Sequence, residues 1–164
     1  MPGANEPIAV NTGPLIALAA CDALDLLRHL HHPVIVPTAV VDEFRRGQSG
    51  GSALADVPPW VDVRTLTSPV PAILVTHLDI GEASAIALAL EAHVGLVAVD
   101  ERRGRLIARD LGLTVTGSLG LLLRAKRLGF IGAVAPHLTA MRKNGIWLGE
   151  TLVRRVLAEA QELA

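Results

Sequence analysis

Short β-branched runs alternate with longer stretches of helical pattern along most of this chain, and that alternation limits the fold more than any other feature. "IAV" (8–10) is closed by "NTGP", where Gly13 and Pro14 mark a turn and open a helix through "LIALAACDALDLL". "VIV" (34–36) repeats the unit: Pro37 ends the strand, Thr38 is placed to cap the helix "AVVDEFRR", and Gly47 stops it. After the Gly/Ser/Pro-rich loop "GQSGGSALADVPP", "WVDVRT" alternates like a half-covered or edge strand. "LDIGEASAIALALEAHVG" predicts a helix from about Gly81 to His93 that ends at Gly95, with an Ala-rich face able to pack closely on a sheet. The next run, "LVAV", has the composition of a central strand buried on both faces. Then come a helix over 101–111, a stop at Gly112, the short strand "TVT", a helix over 118–128, and a helical pair at about 133–144 and 150–163. A mainly parallel sheet covered on both faces satisfies this order, within one domain over 1–164 whose 133–164 segment is a C-terminal helical extension.

Composition narrows the function. With 15 basic and 16 acidic residues, affinity for a polyanion must come from clustered arginines and not from net charge. Phe44, Phe130, Trp60 and Trp147 are the only large aromatics, too few for the stacking platforms of single-strand binding modules. Cys21 is alone, which excludes an internal disulfide and a cysteine zinc site and fits a reducing compartment, with the thiol buried and inert. The start, "MPGANEP", has no basic segment, and Asn11, Gly13, Pro14, Asp22 and Asp25 interrupt the apolar run behind it. No signal peptide or membrane span is expected, and the cytoplasm is the default location.

In open α/β sheets, ligands gather where the strands end. Asn11 and Thr12 follow the first predicted strand, Asp100 follows "LVAV", and Ser118 stands after "TVTG" at a helix start. Glu43 and Glu82 lie early in their helices and could join them. Carboxylates brought together raise each other's pKa unless a cation neutralises them, and hard oxygen donors suit Mg²⁺ or Mn²⁺. Arg102, Arg105 and Arg109, three and four residues apart, predict one basic helical face next to Asp100 that could hold substrate phosphates.

Each residue also has an ordinary structural reading. Asp100 could simply cap the following helix, and Glu82 suits the positive end of its own. Glu43 could be solvated, Ser118 could be a helix cap, and Arg109 could lie on a solvent face. His29, His31 and His32 lack a partner motif, so a solvated loop is expected there. The apolar stripe Leu152, Val153, Val156, Leu157 and Ala160 suits packing within the chain, with a dimer seam as the alternative. A small-molecule enzyme on a doubly wound sheet is disfavoured, because neither GxGxxG nor GxxxxGK[ST] occurs and the first strand lacks the paired aspartates of aspartyl-phosphate phosphatases and receiver domains.

Taken in order and spacing, "NTGPLIAL", "DIGEASAIALAL", "DERRGRLIARDLGL" and "VTGSLGLLLRAKRLGFI" resemble a subgroup of the PIN-domain family over nearly the whole chain. The resemblance implies a three-layer α/β/α sandwich with a mainly parallel sheet and a C-terminal helical pair. It implies a nuclease that uses Mg²⁺ or Mn²⁺ to hydrolyse RNA phosphodiesters, as in toxins of the VapC kind. The family's four acidic positions fall on Asn11, Glu43, Glu82 and Asp100, and Thr12 matches the hydroxyl residue after the first. Asn11 departs from the aspartate common there, which leaves three formal charges. Asp79 and Glu101 rank as weaker substitutes. Arg102 or Arg103 would neutralise substrate phosphate, with Thr12 and Ser118 also facing substrate. The expected partners are an RNA substrate, a cognate antitoxin protein and a second copy of the chain, with no membrane. The alternative is a weak or inactive PIN-like module that binds RNA or protein without cutting.

Overall fold

The computed structural model describes residues 5–47 and 56–163. Five strands form one all-parallel sheet, β1 (Ile8–Val10), β2 (Val34–Pro37), β3 (Asp62–Arg64), β4 (Leu96–Ala98) and β5 (Thr114–Thr116), in the order β3-β2-β1-β4-β5. Strands β1, β2 and β4 are buried along their whole length, while β3 and β5 are the partly exposed edges, as the alternation in "WVDVRT" predicts. The chain runs outward from β1 through β2 to β3, then crosses to β4 on the other side of β1. That reversal opens a crevice between the carboxyl ends of β1 and β4. The register puts Val10 beside Ala98, and the Asn11 N–H donates to the Ala98 carbonyl at 3.0 Å, so the polar residues after both strands leave the sheet at nearly the same level.

The helices flank this sheet. Helix α5 (Ile80–Glu91) packs on β1, β2 and β4 and on its neighbours α3 (Thr38–Gly47), α4 (Ala72–His77) and α6 (Arg102–Asp110). Nine consecutive residues, Gly81 to Ala89, are buried, because four alanines let its backbone approach on several sides at once. Helix α1 (Thr12–Ala20) packs on α3, α7 (Ser118–Arg127) and α8 (Ala135–Lys143), and α9 (Glu150–Glu159) closes against α7. Val153, Val156 and Ala160 of the predicted apolar stripe are buried, while Leu152 stays exposed. Phe44 is fully buried in the core, and truncating such a side chain to alanine costs about 3–5 kcal/mol.

Three expectations change. The helix predicted through "LIALAACDALDLL" is two helices, α1 and α2 (Leu26–Leu30). Asp22 takes a left-handed conformation (φ 54°) and the Ala23 N–H donates back to Leu18 at 2.9 Å, a helix stop made without the glycine that normally signals one. Helix α4 has no counterpart in the sequence prediction, since its six residues are too few to display a helical period. His31 is not solvated: it is 1% exposed, with Nδ1 3.0 Å from the Glu6 carbonyl, while His29 stacks on Phe130. Cys21 is buried as expected, and burial pushes its thiol up to about 11, which keeps it protonated and inert. Of the loop expected over "GQSGGSALADVPP", residues 48–55 lie outside the described residues. Among those residues, no helix is long and apolar enough to cross a membrane.

Candidate functional site

The crevice collects side chains from five segments. Asn11, the residue between β1 and α1, is 5% exposed and its Oδ1 has no hydrogen-bond partner. Thr12 begins α1 and donates its hydroxyl to Glu43 Oε2 at 2.8 Å, tying α3 to the end of β1. The Glu43 carboxylate lies over the first turn of α5: a Cβ on Gly81 would come within 2.6 and 2.7 Å of its two oxygens. Glycine is required at 81 for that space.

Glu82 is 5% exposed, and its Oε1 is a second buried oxygen without a partner. Its backbone N–H is held by the Asp79 carboxylate at 2.8 Å, so Asp79 is the cap of α5. The Glu82 side chain reaches toward α6, where a Cβ on Gly104 would stand 3.2 Å from Oε1. Burial first, then the charges of Asp79 and Glu101, push its carboxyl up to about 7.

Asp100 follows β4 and does not cap the helix after it. Glu101 occupies that cap position without a side-chain bond, while Asp100 Oδ1 accepts from the Ser118 N–H at 2.7 Å and so caps α7 across the crevice. Ser118 is the first residue of α7 and is 4% exposed. Asp100 also lies in ordinary contact distance of Gly13, where a Cβ would be 3.8 Å from its Oδ2. The surrounding protein raises the Asp100 pKa, opposed by its bonds to Ser118 and by Arg105.

The arginines divide differently from the single face predicted by their spacing. Arg102, Arg103 and Arg109 are exposed, and Arg103 reaches the His77 carbonyl at 3.5 Å. Arg105 instead turns in to the strand end, donating from Nη1 to the Val99 carbonyl at 2.9 Å. The expected face of 102, 105 and 109 is therefore split, and the residue beside Asp100 is Arg105. An i,i+4 spacing shows which residues share a side of a helix but not which of them folds back over its start. Glu101, a weaker substitute by sequence, acts through its charge on both Glu82 and Asp100.

Four of the sequence candidates, Asn11, Glu43, Glu82 and Asp100, thus border one crevice together with Thr12 and Ser118. The amino ends of α1, α5, α6 and α7 also lie at it, and their partial positive charge makes the clustered acids tolerable. The donor set is oxygen-only, and two of its buried oxygens, Asn11 Oδ1 and Glu82 Oε1, lack partners, each at a cost of about 1–3 kcal/mol. In donor chemistry these residues fit a hard divalent cation. Among the described residues, no three His, Cys, Asp or Glu side chains are gathered into a group that could hold a metal by themselves.

A family model described as a PIN domain matches residues 7–162. No curated protein and no solved structure matches the chain.

Proposed function

Because the chain belongs to the PIN-domain family, whose members are generally nucleases and typically use divalent metals, we propose that it is an endoribonuclease dependent on Mg²⁺ or Mn²⁺. What supports this reading is the pair of buried, unpartnered oxygens Asn11 Oδ1 and Glu82 Oε1 at the strand-end crevice, with Glu43 tied to the end of β1 through Thr12 and Asp100 held at the end of β4 by the Ser118 N–H. Glu82, Asp100, Glu43 and the Asn11 carbonyl oxygen would hold the cation. A bound divalent ion supplies an activated water and charge stabilisation on a phosphoryl oxygen.

The remaining work falls to the chain. Thr12 holds the Glu43 carboxylate in place through its hydroxyl. Asp79 fixes the first turn of α5 and with it the direction of Glu82. The Ser118 N–H orients Asp100, and the amino end of α7 behind it favours negative charge arriving there. The resemblance further assigns Thr12 and Ser118 to the substrate side of these carboxylates. Glu82, with its carboxyl near 7, is able to hold or release a proton at neutral pH, and a cation would favour release.

The family resemblance further suggests the toxin half of a toxin-antitoxin pair, with a cognate antitoxin covering the crevice and a second copy of the chain completing a homodimer. Asn11 favours a second reading, a PIN-like module that binds RNA or protein without cutting, since a neutral amide attracts a cation less than the aspartate it replaces. Titrating Mn²⁺ against RNA length, with and without chelator, separates the two. In the same assay Asp100→Asn should abolish cleavage while the protein stays folded, because asparagine keeps the acceptor that Ser118 needs. Cleavage that persists in chelator, or in that variant, removes the metal-nuclease reading.

A further inference from the structure

Arg105 differs from the other arginines of α6. It is half-buried where Arg102, Arg103 and Arg109 are exposed, and its Nη1 is committed to the Val99 carbonyl. A Cβ on Gly117 would lie 2.9 Å from that Nη1 and 2.5 Å from Asp100 Oδ1. Guanidinium and carboxylate therefore flank a gap that only glycine leaves open. Gly117 has an extended backbone (φ −146°, ψ −177°) open to any residue, so its requirement is for space.

A guanidinium offers five N–H donors in a rigid fork, and Val99 takes one of them. Among the described residues, no other protein acceptor bonds to Arg105. Burial first and Arg109 second disfavour its charge, and Asp100 alone supports it. A partly desolvated cation with unspent donors, aimed at the mouth of an acidic crevice, is arranged to receive an anion.

We infer that Arg105, rather than the exposed Arg102 or Arg103, is the phosphate-binding arginine of the crevice: Val99 holds its plane while the free donors take a non-bridging oxygen of an RNA phosphodiester next to Asp100. This rests on the ribonuclease reading. The missing Cβ at Gly117 keeps the approach to both groups open.

The test measures binding of a fluorescently labelled single-stranded RNA to the full-length protein in chelator, across a salt series, with melting temperatures recorded for each variant. Arg105→Gln should weaken binding about tenfold at low salt and reduce the magnitude of the salt slope by about 0.7, the value of one single-strand phosphate contact. Arg109→Gln, exposed one turn later, should stay within about twofold of the parent. With metal added, Arg105→Gln should raise KM more than it lowers kcat. A folded Arg105→Gln with the parental slope and affinity overturns the inference. Should that variant not fold, Arg105→Lys decides: it keeps the charge without the fork, so the parental slope with about fivefold weaker binding is expected, and parental affinity overturns the proposal. If the unmodified protein neither binds nor cleaves RNA, the ribonuclease reading falls and takes this inference with it. If it cleaves RNA and the arginine variants behave like it, only the role of Arg105 is lost.

Discussion

Two glutamates, Glu82 and Glu162, are both withdrawn from solvent, yet the protein treats them in opposite ways. Glu162, just beyond α9, accepts from Lys126 Nζ at 2.9 Å, from the Val134 N–H at 2.6 Å and from the Ala135 N–H at 2.8 Å. Burial works against its ionisation, but Lys126 and the two backbone donors at the start of α8 override it and hold the carboxyl down at about 2. Glu82, in the first turn of α5, faces Asp79 and Glu101, leaves one oxygen without a partner, and is driven up to about 7. The C-terminal closure satisfies its charge from within the chain. The crevice does not: Glu82 Oε1 has no partner among the described residues.

Substitution to glutamine should separate the two sites most sharply. Glu82→Gln removes a buried charge that burial and two acids oppose, so the metal-free protein should melt higher while Mn²⁺-dependent RNA cleavage drops by about a hundredfold or more. Retained cleavage, or a lower melting temperature, would mean the crevice carboxylate is structural. Glu162→Gln should do the reverse. It breaks the pair with Lys126 and weakens the cap on α8, costing about 1–3 kcal/mol of stability in chemical denaturation, with cleavage unchanged. A Glu162→Gln variant as stable as the parent would erase the contrast.

The pH dependence of stability should carry opposite signs at the two sites. Glu82 has a raised folded pKa: below the ordinary 4.5 it is protonated in both states, and between 4.5 and about 7 the unfolded chain ionises while the folded one resists. Its contribution is therefore lost as pH rises through that window. Glu162 has a lowered folded pKa: its contribution is complete above 4.5 and is lost as pH falls toward about 2. Melting curves of metal-free protein should decline from about pH 5 to about pH 8, and Glu82→Gln should flatten that decline without altering the acid limb. A decline of equal steepness in the variant would assign it to other groups.

The fold was legible because strand burial and helix stops are written locally. "IAV", "VIV" and "LVAV" are uniformly apolar, and Gly112, with φ 86°, stops α6 as expected, whereas α5 ends at Glu91 through His93 in a left-handed turn (φ 54°) and not at Gly95. The break at Asp22 was not legible, since aspartate in a left-handed turn leaves no glycine signal. In the site, strand-end logic brought Asn11, Asp100 and Ser118 to one crevice. What Asp100 holds was hidden, because its partner is the Ser118 N–H eighteen residues on, and a through-space cap has no sequence period. Arg105 was hidden for a related reason: its distinction from Arg102 is a side-chain direction set by the Val99 carbonyl. Glu162 carried no signal either, as its three donors come from α7 and from the start of α8.

The smallest expected effect concerns Asn11, where the crevice has a neutral oxygen in place of a charge. Its Oδ1 is buried and unpartnered, so Asn11→Asp adds a carboxylate with little change of shape beside groups that already repel one another. Without metal, that variant should melt slightly lower, and more so above pH 7, where Glu82 is ionised too. With metal the sign should invert: half-maximal cleavage should need severalfold less Mn²⁺, about 3–10-fold, since a carboxylate binds a hard cation more strongly than an amide oxygen. Both shifts follow from an electrostatic deficit at the crevice that the Glu162 closure lacks. A variant that melts lower without gaining metal sensitivity would show that Asn11 borders the crevice and does not bind in it.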